Sequence, residues 1–398
     1  MQGATPTIAI TGMGAVSALG NGVAAQLEAL KSGRSAIGPL RIHDLGFPDL
    51  VFGEVPMTDD ELKAAVKWPE DGRTVSRTVL LALVAAQEAV ASSGLKTTDG
   101  ISLISASTVG GMDRTERAYR FRESDPLQLA MAALGHEVCD HARHLAARLN
   151  ARQATTISTA CSSSANAIML GAQLLKTGRA NVVLAGGADA LCGFTIAGFR
   201  ALSAMDAKAC RPFSADRAGM NLGEAAAYVV LERLEDVRKS GREALAIVAG
   251  YANANDAYHQ TATSPEGIGP QKAMEGALRV AGATAATIDH VNAHGTATEN
   301  NDLTELIAME RLFGKVPPFT STKSLTGHTL AAAGALEAVF SVLSIQHDFV
   351  PATARAGAMI DGCRSVPVKA AQQLPVRTVL SNSFGFGGNG TSLLFRAV

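Results

Sequence analysis

Three residues have the type and the setting to do chemistry together. Cys161 stands in Thr159-Ala160-Cys161-Ser162-Ser163-Ser164, where a strand turns into a helix. A helix start offers unpaired N–H groups and a partial positive charge, and both favour thiolate over thiol. That is the setting of a nucleophile able to accept an acyl group. His294 lies in Asn292-Ala293-His294-Gly295-Thr296-Ala297-Thr298, after a strand, where an imidazole can act as acid, base or hydrogen-bond donor. His328 closes Lys323-Ser324-Leu325-Thr326-Gly327-His328 at the start of a second helix. The positive helix end disfavours imidazolium there, so a neutral ring donating a hydrogen bond is expected. A plainer reading stands beside each: free cysteines are commonly small buried residues, and most histidines do no chemistry. Three such residues on three strand ends favour a joint role.

The elements that must position them read as an α/β pattern of short β-branched runs and longer Ala/Leu-rich stretches. Strands are expected at Thr7–Thr11, Gly100–Ser107, Ala154–Thr159, Asn181–Ala185 and Ala226–Glu232, with a helix at Thr78–Ser92. After a charged connector, Arg233–Glu243, strands are expected at Ala246–Ala252, Asp289–Ala293, Phe319–Thr322 and Thr378–Ser381. A helix at Pro270–Ala281 intervenes, opened by a proline whose missing N–H is harmless at the first position. The pattern repeats. A strand runs into Ser158-Thr159-Ala160-Cys161 and the apolar helix Ser162–Thr177; a second runs into Ser321-Thr322-Lys323 and the apolar helix Thr329–Leu343. Each helix is followed by a strand and a glycine-rich turn, Ala185-Gly186-Gly187 and Gly385-Phe386-Gly387-Gly388. The halves are residues 1–242, carrying Cys161, and 243–398, carrying His294, Lys323, His328 and the glycine-rich loop. Both apolar helices read as buried. Glu337 in the second therefore needs a fixed polar partner, because an unpaired buried carboxylate is costly.

Composition sets the outer bounds. The 398 residues carry 35 Lys+Arg against 36 Asp+Glu, a formal net charge of −1, with 47% hydrophobic residues. The balance argues against a nucleic-acid binder. No charge-free apolar run of membrane-spanning length appears, so no membrane span is expected. Met1–Ile10 is neither basic nor apolar enough for a signal peptide. Five cysteines without regular spacing point to a reducing cytoplasm. In the charged stretch Tyr119–Arg152, the residues His136, Cys139, His141 and His144 have metal-ligand spacing, and His136, Cys139 or Asp140, and His144 could share one helix face. No second ligand pair accompanies them, so a solvated or interface helix is the favoured reading and no metal is expected.

The quoted motifs, with Asn382-Ser383-Phe384-Gly385-Phe386-Gly387-Gly388, Gly12-Met13-Gly14, Arg211-Pro212-Phe213 and Asp216-Arg217, resemble those of the β-ketoacyl-[acyl-carrier-protein] synthases. The resemblance covers essentially the whole chain, in order. It implies a thiolase-like fold, two duplicated halves forming a five-layered α/β/α/β/α core, in a dimer. The activity implied is a decarboxylative Claisen condensation of an acyl chain on the active-site cysteine with malonyl-acyl carrier protein, in fatty acid or polyene/polyketide elongation.

The resemblance also distributes roles. Cys161 would hold the acyl thioester, and His294 and His328 would stabilise the enolate formed on decarboxylation. The N–H groups of Cys161 and Phe386 would form an oxyanion hole, with the Phe386 ring as a gate. Lys323, with Glu337 in support, would orient the histidines. Thr296 and Thr298 would bind phosphopantetheine, which arrives on the carrier protein, so no resident cofactor is implied. Arg200 would contact the acidic carrier. The dimer would be a homodimer or a heterodimer with a related chain-length subunit. The second histidine resembles elongating synthases rather than initiating ones, and Phe386 stands where thiolases place a second cysteine. The chain departs from the family at Asn389-Gly390, Asn221–Ala225 and Ser214. A CoA-dependent thiolase-like enzyme and a non-catalytic chain-length subunit are the competing readings. The second is disfavoured because the nucleophile and both histidines are present.

Overall fold

The computed structural model describes residues 5–70, 74–98 and 100–398, so the first four residues of the Met1–Ile10 segment lie outside it. Ten strands lie on one hydrogen-bonded path. In the first half they are β1 (Ile8–Ser17), β2 (Ser102–Ala106), β3 (Gln153–Ile157), β4 (Val182–Asp189) and β5 (Ala225–Arg233). In the second they are β6 (Ala246–Asn255), β7 (His290–Asn292), β8 (Phe319–Thr320), β9 (Thr378–Phe384) and β10 (Asn389–Arg396). From the middle outward the first half pairs β1–β5–β4–β2–β3, antiparallel twice and then parallel twice. The second pairs β6–β10–β9–β7–β8 in the same senses. The two five-stranded blocks therefore share one topology, which is the duplication expected from the sequence. Antiparallel pairing of Ile8–Ile10 with Ala246–Val248 joins them, and the boundary at 242/243 falls between β5 and β6.

Five helices complete the layers. Helix α1 (Arg77–Ser92) covers the outer face of the first block, and α3 (Ile268–Ala281) with α4 (Glu299–Phe313) covers that of the second. Between the blocks lie α2 (Ser163–Lys176) and α5 (Ala333–His347), in contact with each other and with strands of both. Enclosure explains why α5 is apolar all round, whereas α2 leaves Met169, Leu170 and Leu174 only half-buried and Gln173 exposed. Leu330–His347 has the length and hydropathy of a membrane span, but 89% of that window is buried inside the fold. At the contact the helices come so close that a Cβ on Gly334 would lie 2.7 Å from the Ala165 nitrogen.

Three local expectations are corrected. Gly186 and Gly187 lie inside β4 instead of forming a turn. They are glycines because a Cβ would meet the Ala227 carbonyl at 2.1 Å in one case and the Ala106 carbonyl at 2.8 Å in the other. The charged connector contains a helix, Leu234–Lys239, tied to the end of β5 by an Arg233–Asp236 pair at 2.7 Å. Finally, the helix after Cys139 begins at Asp140, which leaves His136 outside it.

Because Gly334 allows the central contact, Gly334→Ala should destabilise the protein by about 1–3 kcal/mol despite alanine's better helix propensity. The urea midpoint measures this; an unchanged or raised midpoint would refute the close contact.

Candidate active site

The turn between β3 and α2 is built by its own small residues. Ala160 adopts φ 51°, a left-handed conformation that reverses the chain just before Cys161. The following serines lock the turn: Ser163 Oγ donates to the Ala160 carbonyl at 2.5 Å and accepts the Thr159 N–H at 2.8 Å. Ser162 Oγ donates to Asn389 Oδ1 at 2.7 Å, reaching across to the other half. Cys161 is 6% exposed at the end of this turn.

His328 is held by its backbone. Its N–H donates to the Asn221 carbonyl at 2.7 Å, and its carbonyl accepts the Gly223 N–H at 2.9 Å. The Nδ1 atom accepts the Leu330 N–H at 3.3 Å, so the neutral ring carries its proton on Nε2, which has no protein partner. The helix turn that supplies this N–H is pinned by Asp189 at the end of β4. That buried carboxylate accepts the Ala331 N–H at 2.9 Å together with Ser107 and Thr108 groups.

His294 is positioned from α4. Glu305 accepts its N–H at 2.8 Å and the Gly295 N–H at 2.9 Å, while Asp302, one turn earlier, accepts those of Ala297 and Phe213. Burial pushes Glu305 up to about 7, against the pull of those same donors. Sequence reasoning missed Asp189, Asp302 and Glu305. Asp302 and Glu305 lie three residues apart on the helix just after the His294 motif, among other acidic residues from which the sequence alone does not separate them.

The side chains of Cys161, His294 and His328 converge, their ligand atoms all within 4.8 Å of one another. The imidazoles meet edge to face at 5.4 Å between centroids. Burial, and then the Lys323 charge, hold both histidines far below the ordinary imidazole range, so both are neutral. Lys323 pairs with Glu337 at 2.5 Å, and each is only 3% exposed. This is the fixed partner that Glu337 required; burial nonetheless pushes Glu337 up to about 7 against the pull of Lys323.

Burial likewise pushes the Cys161 thiol up to about 11, against Lys323 and the N–H groups of Phe386 and Cys161 itself. The N–H donors pull toward thiolate as expected, and desolvation outweighs them. The same donors and the nearby cation bear on what the Cys-His-His set can hold. A positive Lys323 disfavours a second cation there, so the arrangement suits proton and hydrogen-bond chemistry better than zinc.

Two cavities meet at Cys161 with Phe386 between them. One, of about 350 Å³, is lined by His294, His328, Thr296 and Thr298 among others. The two threonine hydroxyls bond each other at 2.9 Å. The other, of about 520 Å³, is lined by Met112, Phe194, Phe199, Leu202 and Leu330. The Phe386 ring stacks on Phe199 at 5.7 Å. Arg200 lies at the surface, paired with Asp49 at 3.0 Å and over the Phe47 ring. The possible metal cluster does not assemble: His136 contacts Thr115, buried His141 bonds Ser105 and Val138, and His144 faces Asp140.

Comparison with known proteins matches residues 5–237 to the "Beta-ketoacyl synthase, N-terminal domain" and 245–356 to the corresponding C-terminal domain. The chain is 36% identical to a 3-oxoacyl-[acyl-carrier-protein] synthase 2 of Rhizobium meliloti, over 98% of both chains. Its fold matches the ishigamide ketosynthase/chain length factor with a TM-score of 0.91 and 30% identity, over 99% of this chain and 100% of that one. A ketosynthase in complex with its chain length factor from Xenorhabdus doucetiae matches with a TM-score of 0.85 and 31% identity over the whole of both chains.

Neutral, buried histidines give a direct test. With both values depressed below 6.5, protonation should occur only well under that pH, so ¹⁵N spectra of His294 and His328 should show no protonation step between pH 8 and 6. His328 should appear as the Nε2–H tautomer. A step near pH 6.5 for either ring would contradict the arrangement.

Proposed function

The chain belongs to the β-ketoacyl synthase family, and from that premise we propose that it catalyses decarboxylative Claisen condensation between an acyl chain on Cys161 and malonyl-acyl carrier protein. The observation that carries the proposal is the convergence of Cys161, His294 and His328 where the two cavities meet. The 350 Å³ cavity, with Thr296 and Thr298 on its wall, suits the amide-rich phosphopantetheine arm; the 520 Å³ cavity suits the acyl chain. The arm is brought by the carrier, and no resident cofactor takes part.

In the first step the Cys161 sulfur attacks the acyl thioester. The carrier thiol leaves and recovers the proton that Cys161 gives up. Malonyl-carrier protein then enters and loses carbon dioxide. The negative charge left on its thioester oxygen is met by the Nε2–H of His328 and by His294. Since both rings are neutral, they serve as hydrogen-bond donors, and Lys323, paired with Glu337, fixes the electrostatic setting. The carbanion attacks the Cys161 thioester, and the N–H groups of Cys161 and Phe386 donate to the tetrahedral oxyanion. Collapse releases the β-ketoacyl carrier protein, and Cys161 takes up a proton.

Arg200, half-exposed beside the Phe386 loop's neighbour Phe199, is the proposed carrier contact. The apolar residues Phe121, Leu127, Met131 and Leu134 are exposed, as are Gln153–Thr155 on the edge strand β3. They support a second subunit here, a copy of this chain or a related chain-length subunit, which native mass spectrometry of the purified assembly separates. We place the reaction in the cytoplasm, in keeping with five free cysteines.

Incubation with acyl-carrier proteins of graded chain length, followed by intact mass, tests the mechanism. A thioester adduct should form and be lost in Cys161→Ala; no adduct with any carrier-bound donor, or adducts only from acyl-CoA, would sink the proposal. His294→Ala and His328→Ala should keep the adduct and lose condensation by about 10²–10³. Arg200→Glu should raise KM for carrier-bound substrate with kcat little changed.

A further inference from the structure

The acyl cavity is bounded on one side by the helix Met112–Tyr119, through Met112, and on the other by the helix Gly193–Ala201, through Phe194, Gly198 and Phe199. The second helix opens at Cys192, whose side chain makes no capping hydrogen bond. Its first N–H groups are satisfied from the opposite wall instead. Glu116, one turn after Met112, accepts the Gly193 N–H at 2.9 Å and the Phe194 N–H at 3.0 Å, one on each carboxylate oxygen. A Cβ on Gly193 would lie 3.3 Å from that carboxylate, so the approach is close. A carboxylate on a helix N-terminus is doubly favourable, through the orphan donors and the helix dipole. Thr195 adds a second, weaker tie to the Met112 sulfur at 3.9 Å.

We propose that Glu116 is a positioning residue that sets the width of the acyl cavity and, through it, the seat of the Phe386 gate. The proposal rests on the reading of the 520 Å³ cavity as the acyl site. The chain of contacts is short. Glu116 fixes the start of the Gly193–Ala201 helix, Phe199 on that helix lines the cavity, and the Phe386 ring stacks on Phe199. Without the carboxylate, two N–H groups lose their partner and the helix is free to shift relative to Met112. A misplacement of that kind acts on chains that reach the wall and spares those that end at Cys161.

Alkylation of Cys161 by N-alkyl iodoacetamides tests this without carrier protein: the sulfur displaces iodide, and intact mass counts the adduct. Iodoacetamide itself ends near the sulfur, whereas an octyl derivative must thread between the two walls. In Glu116→Ala the iodoacetamide rate should stay within about twofold, while the octyl-to-unsubstituted rate ratio should change by on the order of tenfold. Glu116→Gln, which keeps one acceptor and the side-chain volume, should fall between and serves should the alanine variant fail to fold. An unchanged ratio in both variants, or an equal loss for both probes, would overturn the assignment. The same variants acylated by carrier-bound chains should show the shift only for the longer chains. If wild-type Cys161 takes the alkyl probes with the Glu116-dependent ratio but no carrier-bound acyl group, the condensing reading fails and the Glu116 assignment stands.

Discussion

Everything at the site depends on how closely the two central helices pack. With Gly334 against Ala165, the start of α5 meets the start of α2, and the Ala335 N–H donates to Ser164 Oγ at 2.8 Å. A helix start is the one part of a helix with unpaired donors, so bringing two together creates a buried region rich in N–H groups. That region has to be filled by acceptors or by a reacting oxyanion. Asp189 takes the Ala331 N–H at 2.9 Å, and beside the start of α2 the Cys161 sulfur meets its own N–H and that of Phe386. The duplicated sheets on either side hold the helices in this relation, since both central helices pack on strands of both blocks.

Burial then governs the electrostatics. Cys161, His294, His328, Lys323, Glu337, Asp189, Asp302 and Glu305 are all nearly inaccessible to water. In such surroundings the neutral form of each isolated group is favoured, and only specific partners restore charge. The histidines have no such partner and stay neutral, which preserves their donating hydrogens at physiological pH. Lys323 and Glu337 have each other. The carboxylates at 189, 302 and 305 are surrounded by backbone donors, and their function is to hold loops: the turn after His328, the chain from Ala297 to Phe213, and the backbone at His294.

Much of this could be read from the chain. The duplicated strand-to-helix pattern was visible because each helix is apolar all round and each follows a motif of small hydroxyl residues. The three reacting side chains were visible because their types are rare and their settings alike. What could not be read was the supporting layer. Glu305 and Asp302 sit on an amphipathic helix with ordinary acidic residues, and nothing local separates a buried carboxylate from a solvated one. The glycines of β4 looked like a turn because only the tertiary packing of Tyr228 and Ala106 explains them. The balance at the thiol is hidden for a related reason: the helix terminus is a sequence property, whereas the depth of burial that outweighs it is not.

Phe386 combines two duties in a single residue. Its ring separates the cavities, and its N–H points at the Cys161 sulfur. The loop that carries it is anchored at its trailing end, where Asn389 Oδ1 accepts from Ser162, Asn166 and Asn253. Between ring and anchor, Gly387 and Gly388 both take positive φ, and Gly387 is tied to the neighbouring segment through the Gln260 carbonyl at 2.7 Å and the Asn255 amide at 2.9 Å. A backbone swing that withdraws the ring also withdraws the donor. In the proposed reaction, ring and donor would therefore move together: withdrawing the Phe386 ring through the backbone to widen the passage would cost the sulfur one of its two N–H partners.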